Sequence, residues 1–172
     1  YTNDLKTFEK KLKEVLSNKR IDYACFRDKT SENIEELAQL FIKVCKEQNI
    51  ENIFINQEIE LAKELKFDGV HLTSQQFDKI SEVKRLGLKT IVSCHSFEEI
   101  EKAIEKESDM VTYSPIFTTP NKGEPKGIEK LFEAVATYNI NIIALGGIID
   151  EKHIDLVKIT KASGFASIRY FI

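Results

Sequence analysis

Polar residues with a use for chemistry recur in this chain directly after short apolar runs. In Ile53-Phe54-Ile55-Asn56-Gln57 two side-chain amides end such a run. Arg27-Asp28-Lys29 ends another. If the extended chain continues through it, Arg27 and Lys29 project the same way and offer an anion a guanidinium fork and a point charge; a solvated turn accounts for the triplet equally well. Ser93-Cys94-His95 brings a histidine to the end of a third run, and His95 is the candidate for proton transfer, with capping of a helix starting near Ser96 as the alternative. Gly146-Gly147 lets the backbone approach a ligand closely, or makes a tight turn, and Arg169 follows the next apolar run. The loop from Ile116 to Gly127 carries Thr118, Thr119, Asn121, Lys122 and Lys126 among prolines and glycines, a composition suited to an ordered, partly mobile lid over an anionic substrate. His71, inside Gly69-Val70-His71-Leu72, reads as a packed histidine, His153 as a surface residue of a late helix, and Cys94 as core or as a support behind the site residues.

These residues need a scaffold that sets strand ends side by side. Strands are expected over Ile21–Phe26, Asn52–Ile55, Gly69–Leu72, Thr90–Ser93, Met110–Tyr113, Ile140–Leu145 and Gly164–Ile168. Helical patterns lie between them, at Lys6–Leu16, Ile34–Lys46, Ile59–Leu65, Phe77–Leu86, Phe97–Glu105, Ile128–Thr137 and Lys152–Ile159. In the second, Leu37, Leu40, Phe41 and Val44 fall at i, i+3, i+4 and i+7 and mark one apolar face. Such alternation implies parallel strands with crossover helices. The strands are short and evenly repeated, and no GxGxxG follows the first. The expectation is therefore an α/β fold of the TIM (β/α)8 barrel type, minimal or clipped at both ends, with residues 1–172 as one domain and Tyr1-Thr2 as the remnant of a first strand. In such barrels the C-terminal strand ends build the active site, and the loops after the last two strands commonly hold phosphate.

Composition narrows the chemistry. The 172 residues are 42% apolar and 31% charged, with net charge −3. Lysine and glutamate are mixed along the chain rather than blocked, which argues against a nucleic-acid or anionic-membrane surface and for a small-molecule partner. Cys25, Cys45 and Cys94 are irregularly spaced and odd in number, which fits reduced thiols in a cytoplasm and no zinc site. No apolar run approaches the length that spans a bilayer. The opening on Tyr1 without methionine suggests a trimmed start, and homo-oligomerisation stays open.

Taken together, the strand ends resemble the thiamine phosphate synthase/TenI family of barrels. The matching pieces are Phe26-Arg27-Asp28-Lys29, the block from Ile55-Asn56-Gln57 through Asp68-Gly69-Val70-His71-Leu72, Ser93-Cys94-His95-Ser96, Ser114-Pro115-Ile116-Phe117-Thr118-Thr119 running on to Lys122, and Gly146-Gly147-Ile148. They occur in the family's order over nearly the whole chain. The resemblance implies phosphate-ester chemistry in thiamine assembly, with a small phosphorylated thiazole, an aminopyrimidine-methyl diphosphate, or both as ligands. By position, Arg27, Lys29, Asn56 and Lys122 would hold pyrophosphate, Ser93 would lie near the pyrimidine, and Thr119 with Gly146-Gly147 would meet the thiazole phosphate.

The departures from the pattern carry information. Where the synthases keep two magnesium-binding aspartates, this chain has Gln57 and Gln76, and neutral amides are poor magnesium ligands. Cys25 replaces a glutamine, and Arg169 replaces a small serine. Two negative charges are lost and one positive charge gained. The pattern points to the TenI-like branch, binding a thiazole phosphate with no Mg2+ cofactor and isomerising its carboxylated precursor, with His95 and Lys122 as the catalytic candidates. Against it, the histidine that such tautomerases use is Pro115 here. The alternatives are a thiamine phosphate synthase using Mg2+ through Gln oxygens, Asp28 or Asp78, and a non-catalytic phosphate-binding barrel.

Overall fold

A computed structural model describes residues 4–172; the expected strand remnant at Tyr1-Thr2 lies outside them. Seven strands alternate with seven α-helices among the described residues: α1(Leu5–Asn18), β1(Tyr23–Phe26), α2(Ile34–Glu47), β2(Asn52–Asn56), α3(Ile59–Glu64), β3(Gly69–Leu72), α4(Ile80–Arg85), β4(Lys89–Cys94), α5(Phe97–Glu105), β5(Met110–Tyr113), α6(Gly127–Thr137), β6(Asn141–Leu145), α7(Glu151–Ile159) and β7(Gly164–Ala166), with a 3-10 turn over Phe77–Lys79 before α4. The residues group into two compact units, one built from the chain up to His71 with Val83–Lys89, the other from Leu72–Glu82 and Thr90–Tyr170.

In the first unit β1 pairs with β2 and β2 with β3, all parallel, in register Phe26↔Ile55 and Asn56↔His71. Ile53, Phe54 and Ile55 are each at most 2% exposed, which is how a continuous apolar run behaves when both faces of a parallel sheet are covered. Helix α2 buries Leu37, Ala38, Phe41, Ile42, Val44 and Cys45, a wider stripe than the expected one, with Leu40 at its margin. Phe26 joins the layers, edge-on to Phe8 of α1 at 6.3 Å and 5.4 Å from the ring of Phe41.

In the second unit β4, β5, β6 and β7 pair in chain order and all parallel. Chain-ordered parallel neighbours are what successive β-α repeats produce around a barrel; a doubly wound sheet reverses its order at a switch point. The fold is therefore of the TIM type. All four residues of β5 are buried. Asp109 ties the start of β4, accepting from the backbone N–H of Thr90 at 2.7 Å and from its hydroxyl at 2.9 Å; Asp68 does the same for Ile53 in the first unit at 2.8 Å. Both carboxylates sit just before a strand, at the end opposite the residues singled out for chemistry. Strand β7 stops at Ala166, short of the expected Ile168. There Ser167 turns the chain: its hydroxyl donates to the Ile148 carbonyl at 2.6 Å and accepts from the N–H of Tyr170 at 3.1 Å. Among the described residues no helix is long and apolar enough to cross a membrane.

Candidate functional site

In the first unit the amides that end β2 form a polar row. The Asn56 side-chain oxygen accepts from Arg27 Nε at 3.3 Å and from Gln57 Nε2 at 3.1 Å, while its Nδ2 donates to the His71 carbonyl at 3.1 Å. The same carbonyl accepts the backbone N–H of Gln57 at 3.1 Å. Arg27 and Asn56, proposed from the sequence as anion contacts, are thus in direct contact. The pairing of Arg27 with Lys29 along one extended strand does not occur. Strand β1 ends at Phe26 because Asp28 folds back, accepting from the N–H groups of Thr30 and Ser31 at 2.9 and 3.0 Å and from the Ser31 hydroxyl at 2.7 Å. Such an Asx-type turn competes with the strand for the backbone. Lys29 lies exposed within it.

His71 is half-buried, and desolvation, aided by the positive charge of Arg27, pushes its imidazole down to about 4. A value below the 6.5 of a free imidazole means the unfolded chain takes up the proton first as pH falls. The stability from this source is present in full above pH 6.5 and drains between 6.5 and about 4. Urea unfolding across that window is expected to show wild type losing on the order of 2 kcal/mol more than His71→Gln; parallel losses would remove the assignment.

In the second unit the segment from Ser114 to Gly127 is pinned along its base rather than hinged. Ile116 and Phe117 donate backbone N–H to the carbonyls of Leu145 and Gly146 at 2.9 and 3.0 Å, and Lys126 and Gly127 donate to those of Pro115 and Ile116 at 2.7 and 3.0 Å. Residues 120–125 are exposed, so any lid is confined to this tip. Lys122 sits there. The Thr119 hydroxyl turns inward to the Phe117 carbonyl at 2.9 Å.

The Gly146-Gly147 turn explains the pinning. Both residues have positive φ, 97° and 71°. A Cβ on Gly146 would stand 2.9 Å from Pro115, and one on Gly147 2.6 to 2.7 Å from Phe117. The close approach that glycine permits here is made by the protein's own loop.

Beside that turn is a cavity of about 420 Å³, lined by Gly147, Phe117, Thr118, Ile149, His153 and Arg169 among others, with Ile116 and Pro125 adding apolar wall and no carboxylate in the lining. Arg169 is exposed and, among the described residues, without an ion pair. The nearby acids are engaged elsewhere: Asp150 with His153 and Glu151 with the hydroxyl of Tyr170. Gly147 and Arg169, singled out separately in the sequence, thus line one pocket, sized for a small ligand. Lys122 and His95 are not in its lining.

His95 is held at the end of β4. Its Nδ1 lies 3.0 Å from the Ser114 carbonyl and 3.2 Å from the Ser114 hydroxyl, and its backbone N–H donates to Glu99. The carbonyl can only accept, so Nδ1 carries the hydrogen and Nε2 is left for a ligand. Helix capping, the other reading of this segment, is done by Ser96, whose hydroxyl accepts from Glu99 N–H at 3.2 Å. Ser93 is half-buried and pairs in register with Thr112. Cys94 and Cys45 are buried, which pushes both thiols up to about 12; Cys25 is exposed.

The residues at the family's metal positions do not suit magnesium. The Gln57 amide nitrogen is directed at Asn56, and the Gln76 side-chain oxygen already accepts from the N–H and hydroxyl of Thr73, both at 3.1 Å. Asp28 is consumed by its own turn, Asp78 is exposed on the 3-10 turn, and no group of three or more His, Cys, Asp or Glu among the described residues is arranged to share a cation. Magnesium prefers hard, anionic oxygens, and neutral amides stand at both positions.

Two residues escaped the sequence reading. His153 is half-buried in the cavity wall, its ring edge-on to Phe117 at 4.4 Å between centroids, a contact between residues far apart in the chain. Thr112 buries a hydroxyl with no partner; a threonine within the apolar Met110–Tyr113 run was the available signal.

Comparison with known proteins identifies the family. A family model described as thiamine monophosphate synthase matches residues 2–171. A putative thiamine-phosphate synthase 2 of Aquifex aeolicus is 33% identical over 174 residues, spanning 99% of this chain and 90% of that protein. A thiamine-phosphate synthase of Bacillus licheniformis is 34% identical over 121 residues, 67% of this chain and 53% of its own length, so the chain spans about half of that relative. The solved thiamine phosphate pyrophosphorylase from Pyrococcus furiosus superposes with a TM-score of 0.75 at 21% identity, over 93% of this chain and 78% of that one, a likeness of fold. The chain belongs to the thiamine monophosphate synthase/TenI family.

Proposed function

We propose that this protein binds a thiazole phosphate without magnesium and isomerises its carboxylated precursor, as the TenI-like branch of the family does. The observation that carries the reading is the pocket of the second unit, where Arg169, in no ion pair among the described residues, stands beside the Gly147 backbone and against apolar walls. A guanidinium in partly apolar surroundings binds a monophosphate through charge-assisted hydrogen bonds and needs no metal to bridge it. Ile116, Phe117, Pro125 and Ile149 offer the heterocycle an apolar surface. In the second unit Ser93, Thr119 and Lys122 keep the ligand roles proposed from their positions; in the first unit Arg27, Lys29 and Asn56 keep theirs as anion contacts. His95, the proton-transfer candidate read from its position, keeps Nε2 for a ligand at the end of β4 but lies outside the pocket lining. The ligand is a small molecule, and neither nucleic acid nor a membrane is required.

The second reading, a thiamine phosphate synthase, is favoured by the names of the relatives. Melting curves with thiazole phosphate, with and without magnesium, separate the two. Thiazole phosphate alone is expected to raise the melting temperature, by an amount that grows with ligand concentration as mass action requires, and magnesium to add nothing. Gln57→Asp together with Gln76→Asp is expected to introduce a magnesium-dependent shift. Formation of thiamine phosphate by the unaltered protein from aminopyrimidine-methyl diphosphate and thiazole phosphate would overturn the metal-free assignment.

A further inference from the structure

We infer that Asp150 and His153 form an acid/base pair in the pocket that holds Arg169, with His153 a proton-transferring group of the isomerisation. The inference rests on the reading of that pocket as a thiazole phosphate site. Asp150 precedes α7 and performs two tasks with one oxygen: Oδ1 accepts the backbone N–H of His153 at 3.0 Å and lies 2.7 Å from the ring Nδ1. A carboxylate oxygen only accepts, so the ring hydrogen sits on Nδ1 and Nε2 is the nitrogen left for a ligand. The edge-on contact with Phe117 fixes the plane of the ring. Phe117 is in turn pressed onto Gly147, so the imidazole is oriented by the turn that shapes the pocket. His153 and Arg169 are the two titratable groups in the lining, an arrangement in which the guanidinium holds phosphate and the imidazole faces the heterocycle.

An ordinary helix cap would need only the bond from Asp150 to the backbone. The second bond, to the ring, has the geometry by which a carboxylate selects one imidazole tautomer and steadies the imidazolium formed on proton uptake. In the step itself Nε2 removes a proton from the ligand atom that gives one up, the electron pair of the broken bond passes into the heterocycle, and the imidazolium returns the proton to a carbon attached to the ring, which leaves the ring aromatic. Composition and oxidation state are unchanged, and no co-reactant is needed.

The test measures binding and conversion separately. Thermal stabilisation by thiazole phosphate reads the pocket; the rate of conversion of the carboxythiazole phosphate tautomer reads the pair. His153→Gln is expected to bind thiazole phosphate within about twofold of wild type and to convert the tautomer about 100-fold more slowly. Asp150→Asn, which keeps a helix cap, is expected to lower kcat about tenfold with KM unchanged and to lose the single-tautomer signature of His153 in imidazole nitrogen spectra recorded where the ring is neutral. Conversion by His153→Gln at the wild-type rate would overturn the inference, as would a wild-type protein that binds thiazole phosphate and converts nothing; either leaves the pocket's assignment standing. A wild-type His153 carrying its hydrogen on Nε2 would overturn it whatever the variants do. No stabilisation of wild type by thiazole phosphate would remove both readings.

Discussion

Arg169→Ala is expected to weaken thiazole phosphate binding by about 10- to 100-fold, the range set by charge-assisted hydrogen bonds to an oxyanion. Its own stability should stay within about 0.5 kcal/mol of wild type, because the side chain is exposed and forms no ion pair among the described residues. Arg169→Lys should recover part of the affinity: it restores a point charge but not the planar fork. Calorimetric titration at two ionic strengths checks both, since the contribution of an exposed cation shrinks as salt screens it. Equal affinities for wild type and Arg169→Ala would move the phosphate out of this pocket and with it the case for metal-free binding.

Gly147→Ala is expected to lower stability by about 2 to 4 kcal/mol, hence the melting temperature by roughly 5 to 15 °C. The new methyl would stand 2.6 Å from Phe117 Cβ and 2.7 Å from its backbone carbon and oxygen, at a residue with φ of 71°. Backbone cannot yield there without breaking the bond from Phe117 N–H to the Gly146 carbonyl. Phe117 and Gly147 both line the cavity, so displacing them deforms its wall and ligand affinity should fall in step with stability. Gly164→Ala, with nothing within 4 Å of the added methyl, is the matched control and is expected to melt within a few degrees of wild type. Similar melting of the two variants would mean that loop and turn are not packed as described.

The scaffold was legible because its signals are local. Apolar runs such as Ile53–Ile55 and Met110–Tyr113 mark strands buried on both faces, and helical spacing between them forces parallel crossovers. Strand ends were less legible. Asp28-Lys29-Thr30-Ser31 is a turn sequence that overrides the continuation of β1, and Ser167 closes β7 two residues early through a bond to Ile148, which the apolar pattern around it does not record. Site residues divide along the same line. Arg27, Asn56, Gly147 and Arg169 could be singled out as candidates because they stand at or just after strand ends. His153 was read as a surface residue because α7 shows it only as one polar position on a helix, and what draws it into the pocket wall is Phe117, thirty-six positions away. The Gly146-Gly147 turn was recognised as a place of close approach, but the approaching group belongs to the loop after β5.

The amide row of the first unit bears on what a carboxylate at position 57 would do. Gln57 donates to the same Asn56 oxygen that receives Arg27, at a backbone φ of 70°, a conformation that aspartate tolerates better than glutamine. An aspartate there would ease the backbone, yet it would take a donor away from Asn56, set two acceptors side by side and turn Arg27 towards the new carboxylate. One charge restored alone would rearrange its neighbours before it recruited a metal. Gln57 and Gln76 are each absorbed into local hydrogen bonding, so a carboxylate put at either position would first have to displace those bonds.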